Sequence, residues 1–305
     1  MVQAIARAFA GKGSLTYRQG ASLILIAGVL FSFTALLFRA VDSATDWQFL
    51  ALRGASMALV LLTVAFARRE RRPIRATDVT WRAVLAGVIL ACMSMLFILA
   101  LARTTAAMVT FLLAAAPISG ALFGRLVLRE SVSMPTALAV LATVGGVAVM
   151  VRSGIEAGDT SGVVLAAMIP LIFGIYNVLI RSSGEALDPI VPAIVSGLVL
   201  TLICGGVVLS GPGFRLGLRD VVLGCLAGGL VLGIGLPLFN LGHRSVPTAQ
   251  VSLLNMTEVV LTPLWVWIWP GEVPTIGTLA GGAVVLLAVA YLVLASDRAL
   301  RFVPP

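Results

Sequence analysis

The sequence predicts an all-α integral membrane protein with ten transmembrane helices, arranged as two inverted repeats of five helices. Three observations support this fold class. Of the 305 residues, 60% are hydrophobic and only 11% are charged, whereas soluble domains carry about 25% charged residues. The hydrophobic residues occur in ten long blocks, separated by short charged or turn-forming segments. The second half of the chain also repeats the residue pattern of the first half.

The ten blocks have the length of membrane-spanning helices. A helix needs about 20 residues to cross a hydrocarbon core, and backbone polar groups cannot stay unpaired in lipid, so blocks of this length should be helical. The alternation that a barrel strand requires is absent. The blocks cover residues 20–40, 46–67, 81–101, 104–124, 134–151, 161–180, 189–209, 220–241, 246–269 and 275–295.

Basic residues are distributed unequally between the two ends of the blocks. Fifteen lie at the ends on the same side as the N-terminal tail (residues 1–19), five lie at the opposite ends, and Arg53 lies inside a block. Because basic residues accumulate on the cytoplasmic side, both termini are predicted to be cytoplasmic. The net charge of +8 is not gathered on one surface, which argues against nucleic acid as a partner.

The sequence contains no pattern that predicts a metal or cofactor site. There is one histidine, His243, and the three cysteines lie inside hydrophobic blocks without a CxxC pair. An HExxH motif and a P-loop are both missing, which argues against a metalloprotease and an ATP-driven pump. We therefore expect no metal, no cofactor and no enzymatic activity.

The two halves of the chain align without gaps when Gly20 is placed on Gly162. The aligned pairs include Phe31 and Phe173, Arg39 and Arg181, Asp46 and Asp188, Phe97 and Phe239, and Glu130 and Glu272. Charged matches are informative because charged residues are scarce here. Residues 20–161 and 162–303 are thus predicted to form two units, and an odd number of spans inverts the second. Inverted repeats are typical of secondary transporters, whose substrate site lies near the midplane between the halves.

The two units resemble a known module. The stretch from Ala102-Arg103-Thr104 through Pro117 to Leu128-Arg129-Glu130, with Gly145-Gly146 after it, is similar to the EamA module of the drug/metabolite transporter superfamily. The segment 249–272 is a more diverged second copy. Arg53 stands where that module commonly has an arginine. The second copy departs from the first at position 259, where valine aligns with Pro117.

The resemblance is closest to bacterial exporters of aromatic amino acids and other metabolites. It implies a secondary transporter in the inner membrane that exports small organic solutes, amino acids foremost, through a cavity between its halves. Export of other drugs or metabolites is the alternative, and an intramembrane enzyme or a receptor is a more distant one. Proton coupling, facilitated diffusion and the oligomeric state remain open at this point.

The ninth block contains the clearest break in the repeat. At 100° per residue, Asn255, Glu258 and Thr262 share one helical face, whereas the aligned residues of the fourth block are mostly apolar. Intramembrane carboxylates usually face a cavity or a partner. We interpret this face as lining the substrate path, with Glu258 binding a substrate amine or a coupling proton. The alternative is a structural bond to Arg53 or to a helix end.

Other candidate residues lie in the third, sixth and eighth blocks. Aromatic walls with a few polar anchors are typical of small-molecule sites, and prolines inside helices can allow bending. The candidates for substrate contact are Phe173, Tyr176, Asn177, Met95 and Asn240. Those for coupling or gating are His243, Pro170 and Pro237. Plain packing or an interfacial position is the alternative for each of them.

Three further charged residues are assigned structural roles. Arg53 lies about 10 Å into the second block at 1.5 Å per residue, from where it can reach back to the interface or pair with a carboxylate. Glu130 and Glu272 end the fourth and ninth blocks. A carboxylate at a helix C-terminus opposes the helix dipole, so each is expected to have a specific partner.

Overall fold

The computed structural model describes residues 15–67, 79–116, 118–119, 122–123, 126, 134–156, 159–183, 188, 190–211, 213–214, 216–242, 245–246, 248–269 and 271–301. Among these residues there are helices and no strands. Ten helical segments follow one another: α1 (Tyr17–Arg39), α2 (Asp46–Ala67), α3 (Trp81–Leu101), α4 (Ala106–Leu113), α5 (Met134–Glu156), α6 (Thr160–Ser183), α7 (Val191–Leu209), α8 (Leu218–Gly242), α9 (Thr248–Ile268) and α10 (Ile276–Arg301).

The predicted all-α, ten-helix architecture is confirmed. Within the described ranges, five helices are long and apolar enough to cross a membrane by length and composition, namely α1, α2, α3, α7 and α8. The fourth segment is interrupted within its predicted range of 104–124. Its first regular helix ends at Leu113, Ala114 and Ala115 form a turn, and the described residues from Ala116 to Leu126 are again helical. Proline stands at position 117 and has no N–H to donate to the carbonyl of Leu113, which accounts for the interruption.

Threonines begin several of the helices. Thr16, Thr45, Thr80 and Thr105 each accept a hydrogen bond from the backbone N–H three residues later. At α1 and α2 a glutamine completes the reciprocal bond to the threonine N–H. These caps satisfy donors that the first turn of a helix leaves unpaired, so the sequence sets the start of four consecutive helices.

The packing of the helices repeats between the two halves. Helix α1 packs on α8 and α9, and its counterpart α6 packs on α3 and α4. Helices α2, α4 and α5 each pack on their own counterparts, α7, α9 and α10. A twofold relation between two inverted units requires this pattern. Small residues bring α2 and α7 together, because a Cβ atom on Gly54 would lie 2.8 Å from the carbonyl oxygen of Gly197.

Helix α8 contains a π-helical segment, Leu226–Leu232, between two α-helical parts. The hydrophobic pattern does not predict this segment. Its residue Gly228 lies against α2, where an added Cβ would overlap the carbonyl oxygen of Arg53 and the hydroxyl of Ser56. Glycine is required at this position by the close approach of the two backbones. The π segment therefore supports the part of α2 that carries Arg53.

Candidate functional site: a cavity between the repeats

A cavity with a free volume of about 880 Å³, including its opening, lies inside the helix bundle. Its described lining comes from α1 to α4 of the first unit and from α6 to α9 of the second. Pockets that hold small organic molecules have mostly apolar linings with a few polar groups. The lining residues fit that description, since most of them are aromatic or aliphatic.

Most of the lining residues occupy equivalent positions in the two units. When the halves are aligned as above, the lining pairs are Phe31 and Phe173, Thr34 and Tyr176, Leu90 and Leu232, Ser94 and Leu236, Phe97 and Phe239, and Leu113 and Asn255. The cavity therefore lies on the axis that relates the two halves. Its polar residues break the symmetry, because Asn255 faces the cavity where the first unit has a leucine.

Four phenylalanines and one tyrosine form the aromatic part of the lining. The rings of Phe173 and Tyr176 stack, with centroids 6.1 Å apart and planes 24° apart. Phe31 of α1 meets Phe239 of α8 at 6.1 Å and 58°. Phe173 and Tyr176 lie one turn apart on α6, whereas Phe31 and Phe239 come from two neighbouring helices. The result is an apolar surface suited to a flat or branched hydrocarbon group.

Two charged residues face the cavity from opposite units. Arg53 of α2 is 4% exposed and Glu258 of α9 is 9% exposed. Their charges interact, yet the Nε and Nη1 atoms of Arg53 have no hydrogen-bond partner. The hydroxyl oxygen of Ser94, also on the cavity, is likewise buried without a partner. The site thus holds a guanidinium and a carboxyl group, and part of the hydrogen-bonding capacity of the guanidinium is unused.

A model of the EamA-like transporter family matches residues 18–152 and again residues 160–294. The chain belongs to the EamA-like transporter family. The two matched segments begin at residues 18 and 160, which is the same offset that places Gly20 on Gly162 in the alignment of the halves. This EamA-like protein is therefore a multi-pass membrane transporter of small molecules and not an enzyme. No curated protein sequence gave a significant match.

Solved structures support the same fold for the EamA-like transporter. One crystal structure aligns over 91% of this chain and 98% of its own, with a TM-score of 0.67. Its sequence is 17% identical to this chain. An identity this low supports a shared fold and no more, so the substrate of the transporter has to be argued from its own cavity.

Five of the predicted substrate-contact residues of the EamA-like transporter lie on this cavity. They are Phe173, Tyr176, Asn240, Asn255 and Glu258. Their positions agree with a binding role, which itself stays a prediction.

Two other predicted contacts of the EamA-like transporter are absent from the described lining. Thr262 lies one turn beyond Glu258, where its hydroxyl donates to the carbonyl oxygen of Ser32 at 3.4 Å. The indole N–H of Trp265 donates to the hydroxyl of Ser32 at 3.0 Å, so α1 covers α9 at this level. Met95 packs against the hydrophobic core, while its neighbours Met93 and Ser94 face the cavity.

The structure describes some of the residues predicted for coupling or gating and leaves others undescribed. Pro170 and Pro237 are buried inside α6 and α8. The hydroxyl of Ser119 donates to the carbonyl oxygen of Pro170, which ties the chain after α4 to α6. His243, Glu130 and the side chain of Asn177 lie outside the described residues, so their predicted roles stay predictions.

Glu272 links the two units at one end of the bundle. Its carboxylate accepts from Arg39 Nε at 2.9 Å and from the backbone N–H of Ala106. Arg39 also donates through Nη2 to the carbonyl oxygen of Thr104 at 2.7 Å. The carboxylate thus has the specific partners that a structural role would need. Arg53, which was assigned the same kind of role, differs because it is buried and its Nε and Nη1 atoms have no hydrogen-bond partner.

Asp220, in the first turn of α8, is a second link that the sequence interpretation missed. It is 1% exposed and accepts four hydrogen bonds from the loop between α1 and α2. The donors are the N–H groups of Asp42, Ser43 and Ala44 and the hydroxyl of Ser43, at 2.6–3.0 Å. An acidic residue at a helix N-terminus interacts favourably with the helix dipole, so a structural role for Asp220 could have been predicted from its position. Its hydrogen-bond partners on the loop between α1 and α2 could not.

Proposed function

We propose that this transporter exports neutral amino acids, aromatic ones foremost, from the bacterial cytoplasm across the inner membrane. The observation that carries this proposal is the composition of the cavity between the repeats. Aromatic and aliphatic side chains supply most of its surface, and one carboxylate and one guanidinium face it from opposite units. A solute with a hydrophobic body and a charged amine and carboxylate matches this set of groups.

The second unit supplies most of the amide and acidic groups in the proposed binding site. Asn240, Asn255 and Glu258 come from α8 and α9, and Phe173 and Tyr176 come from α6. Glu258 would bind the substrate amine, and when no amine is bound it is a site for a coupling proton. A pH gradient across the membrane will drive transport if a proton is exchanged and will have no effect under facilitated diffusion.

Transport would proceed by alternating access. The cavity lies on the axis between two inverted units, so a rocking of one unit against the other exposes it to each side in turn. We propose that both termini lie in the cytoplasm, since fifteen basic residues flank the ends of the helices on that side and five the other. The proline-containing helices α6 and α8 would move most, with Pro170 and Pro237 as bending points.

Reconstituted transporter tests this function directly. Proteoliposomes preloaded with unlabelled L-phenylalanine should take up external radiolabelled L-phenylalanine by saturable counterflow. Glu258→Gln should weaken uptake by about tenfold or more if it removes a charged bond to the amine. Asp46→Asn is the matched control, because it removes a carboxylate at a helix end off the described cavity lining. Absence of saturable flux for every neutral amino acid tried would refute the substrate class.

A further inference from the structure

We infer that Arg53 binds the substrate carboxylate, opposite Glu258, so that the cavity selects zwitterions over amines and acids of the same shape. This inference rests on the proposed function and assigns a second anchor within the same site. It replaces the structural role that sequence position suggested for Arg53. Three features of the structure carry it: the unused donors, the fixed position of the backbone and the balance of charge.

The first feature is the state of the guanidinium. Arg53 is almost fully buried, and its Nε and Nη1 atoms have no hydrogen-bond partner. A buried ionised group without partners is costly, and removing it from water is compensated only by well-placed acceptors. The carboxyl group of Glu258, on the same cavity, does not accept from either nitrogen. The acceptor that these donors lack is therefore one that a ligand in the cavity would bring.

The second feature is the fixed backbone that carries the guanidinium. Gly228 of the π segment lies directly against the carbonyl group of Arg53, and Gly54 on the next position packs against Gly197 of α7. The N-terminus of α2 is held by the reciprocal bonds between Thr45 and Gln48. An anchor of this kind is pre-organised, because little freedom is lost when a ligand binds.

The third feature is the balance of charge on the cavity. In the described lining, Arg53 and Glu258 are the charged residues, one of each sign. A ligand with only a carboxylate would leave Glu258 without a cationic partner, and a ligand with only an amine would leave Arg53 without an acceptor. A guanidinium pairs with a carboxylate through two parallel hydrogen bonds, and the free hydroxyl of Ser94 is a further donor on this surface.

The repeat makes the anchor unique and gives the ligand one orientation. The residue aligned with Arg53 in the second unit is Val195, and the residue aligned with Glu258 in the first is Ala116. Neither of these two side chains is charged. The carboxylate end of a ligand must then face the first unit and the amine end the second, although the hydrophobic lining is nearly the same on both sides.

Three ligands with one hydrophobic body test the inference. L-Phenylalanine carries both charges, phenethylamine lacks the carboxylate and 3-phenylpropionate lacks the amine. Titration calorimetry on the purified transporter should show phenylalanine binding about tenfold or more tightly than either analogue, the range expected for a hydrogen-bonded charge. In Arg53→Gln the affinity for phenylalanine should fall to that for phenethylamine, whose own affinity stays near the wild-type value.

Controls separate this effect from damage to the fold. Arg103→Gln removes an arginine whose contacts are Asp46 at 3.7 Å and a backbone carbonyl, and it should keep the wild-type preference. If Arg53→Gln does not fold, Arg53→Lys decides: its single ammonium should lower the preference for phenylalanine over phenethylamine, and an unchanged ratio would overturn the inference.

The outcome also distinguishes this inference from the proposed function. If the wild type neither binds nor moves phenylalanine or another neutral amino acid, the substrate class fails and the inference falls with it. If the wild type moves phenylalanine and Arg53→Gln retains the full preference for phenylalanine over phenethylamine, the inference alone is wrong.

Discussion

Replacement of Asp220 should destabilise the transporter far more than replacement of the neighbouring acidic residue Asp42. The Asp220 carboxylate is 1% exposed and accepts four hydrogen bonds from the loop that precedes α2. Asp42 lies on the same loop and pairs with Arg219 at 2.7 Å, but the two side chains are 60% and 58% exposed. Substitution of either residue therefore removes one negative charge from the same interface, but the Asp220 side chain is buried and the Asp42 side chain is exposed.

The expected magnitudes follow from the number of bonds lost. Asp220→Ala leaves four donors without their acceptor, and at about 1 kcal/mol for each net bond the free energy of unfolding should fall by about 4 kcal/mol. Asp220→Asn keeps the oxygen that accepts three bonds but turns an N–H toward the N–H of Asp42. That change, with loss of a charge at the N-terminus of α8, should cost about 2 kcal/mol. Asp42→Asn should cost less than about 1 kcal/mol, as exposed pairs do.

Thermal unfolding of the detergent-solubilised protein, followed by tryptophan fluorescence, measures these changes. The midpoint temperatures should fall in the order wild type, Asp42→Asn, Asp220→Asn, Asp220→Ala. The reasoning is refuted if Asp220→Ala unfolds at the wild-type temperature, or if Asp42→Asn lowers the midpoint as much as Asp220→Asn does.

Two further predictions use matched pairs of variants. Gly228→Ala should lower the unfolding midpoint and the rate of substrate counterflow, because the added Cβ has no space against α2. Gly206 is exposed on α7 and an added Cβ there meets open space, so Gly206→Ala should be neutral or stabilising by up to about 1 kcal/mol. Equal effects of the two alanines would contradict the packing argument. Arg39→Gln should lower the free energy of unfolding by about 2 kcal/mol, since it breaks the bond to Glu272 across the two units. Arg103→Gln, with its partly exposed and longer ion pair, should change the same free energy by less than about 1 kcal/mol, and denaturation of both variants in parallel checks the difference.

The helices could be predicted from sequence because each is specified by its own residues. Block length, flanking charges and capping threonines are local signals, and the ungapped alignment of the two halves revealed how the helices would be paired between them. The same comparison identified Glu258 and Asn255, because a polar residue stands out where the aligned position is apolar. Both residues lie on the cavity.

Features that depend on contact between distant helices could not be predicted in the same way. Helical periodicity gives the face on which a side chain lies but not the level at which a neighbouring helix closes over it. Thr262 shares a face with Glu258 and still lies where α1 covers α9. The partner of Asp220 is 176–178 residues away in sequence, and the close approach of the Arg53 backbone to Gly228 involves the π segment of α8, which no local signal predicts.

The π segment has a thermodynamic consequence, because it occurs in α8 and its counterpart in α3 is an ordinary α-helix. If the two halves were identical, the states open to either side would be related by the twofold rotation and would have equal free energy. Unequal halves give the two states unequal free energies, so the carrier rests more often open to one side. Around a closed cycle this bias cancels for a passively carried solute, which still equilibrates to equal concentrations. The concentration at which transport is half-saturated will nevertheless differ between the two faces of the membrane.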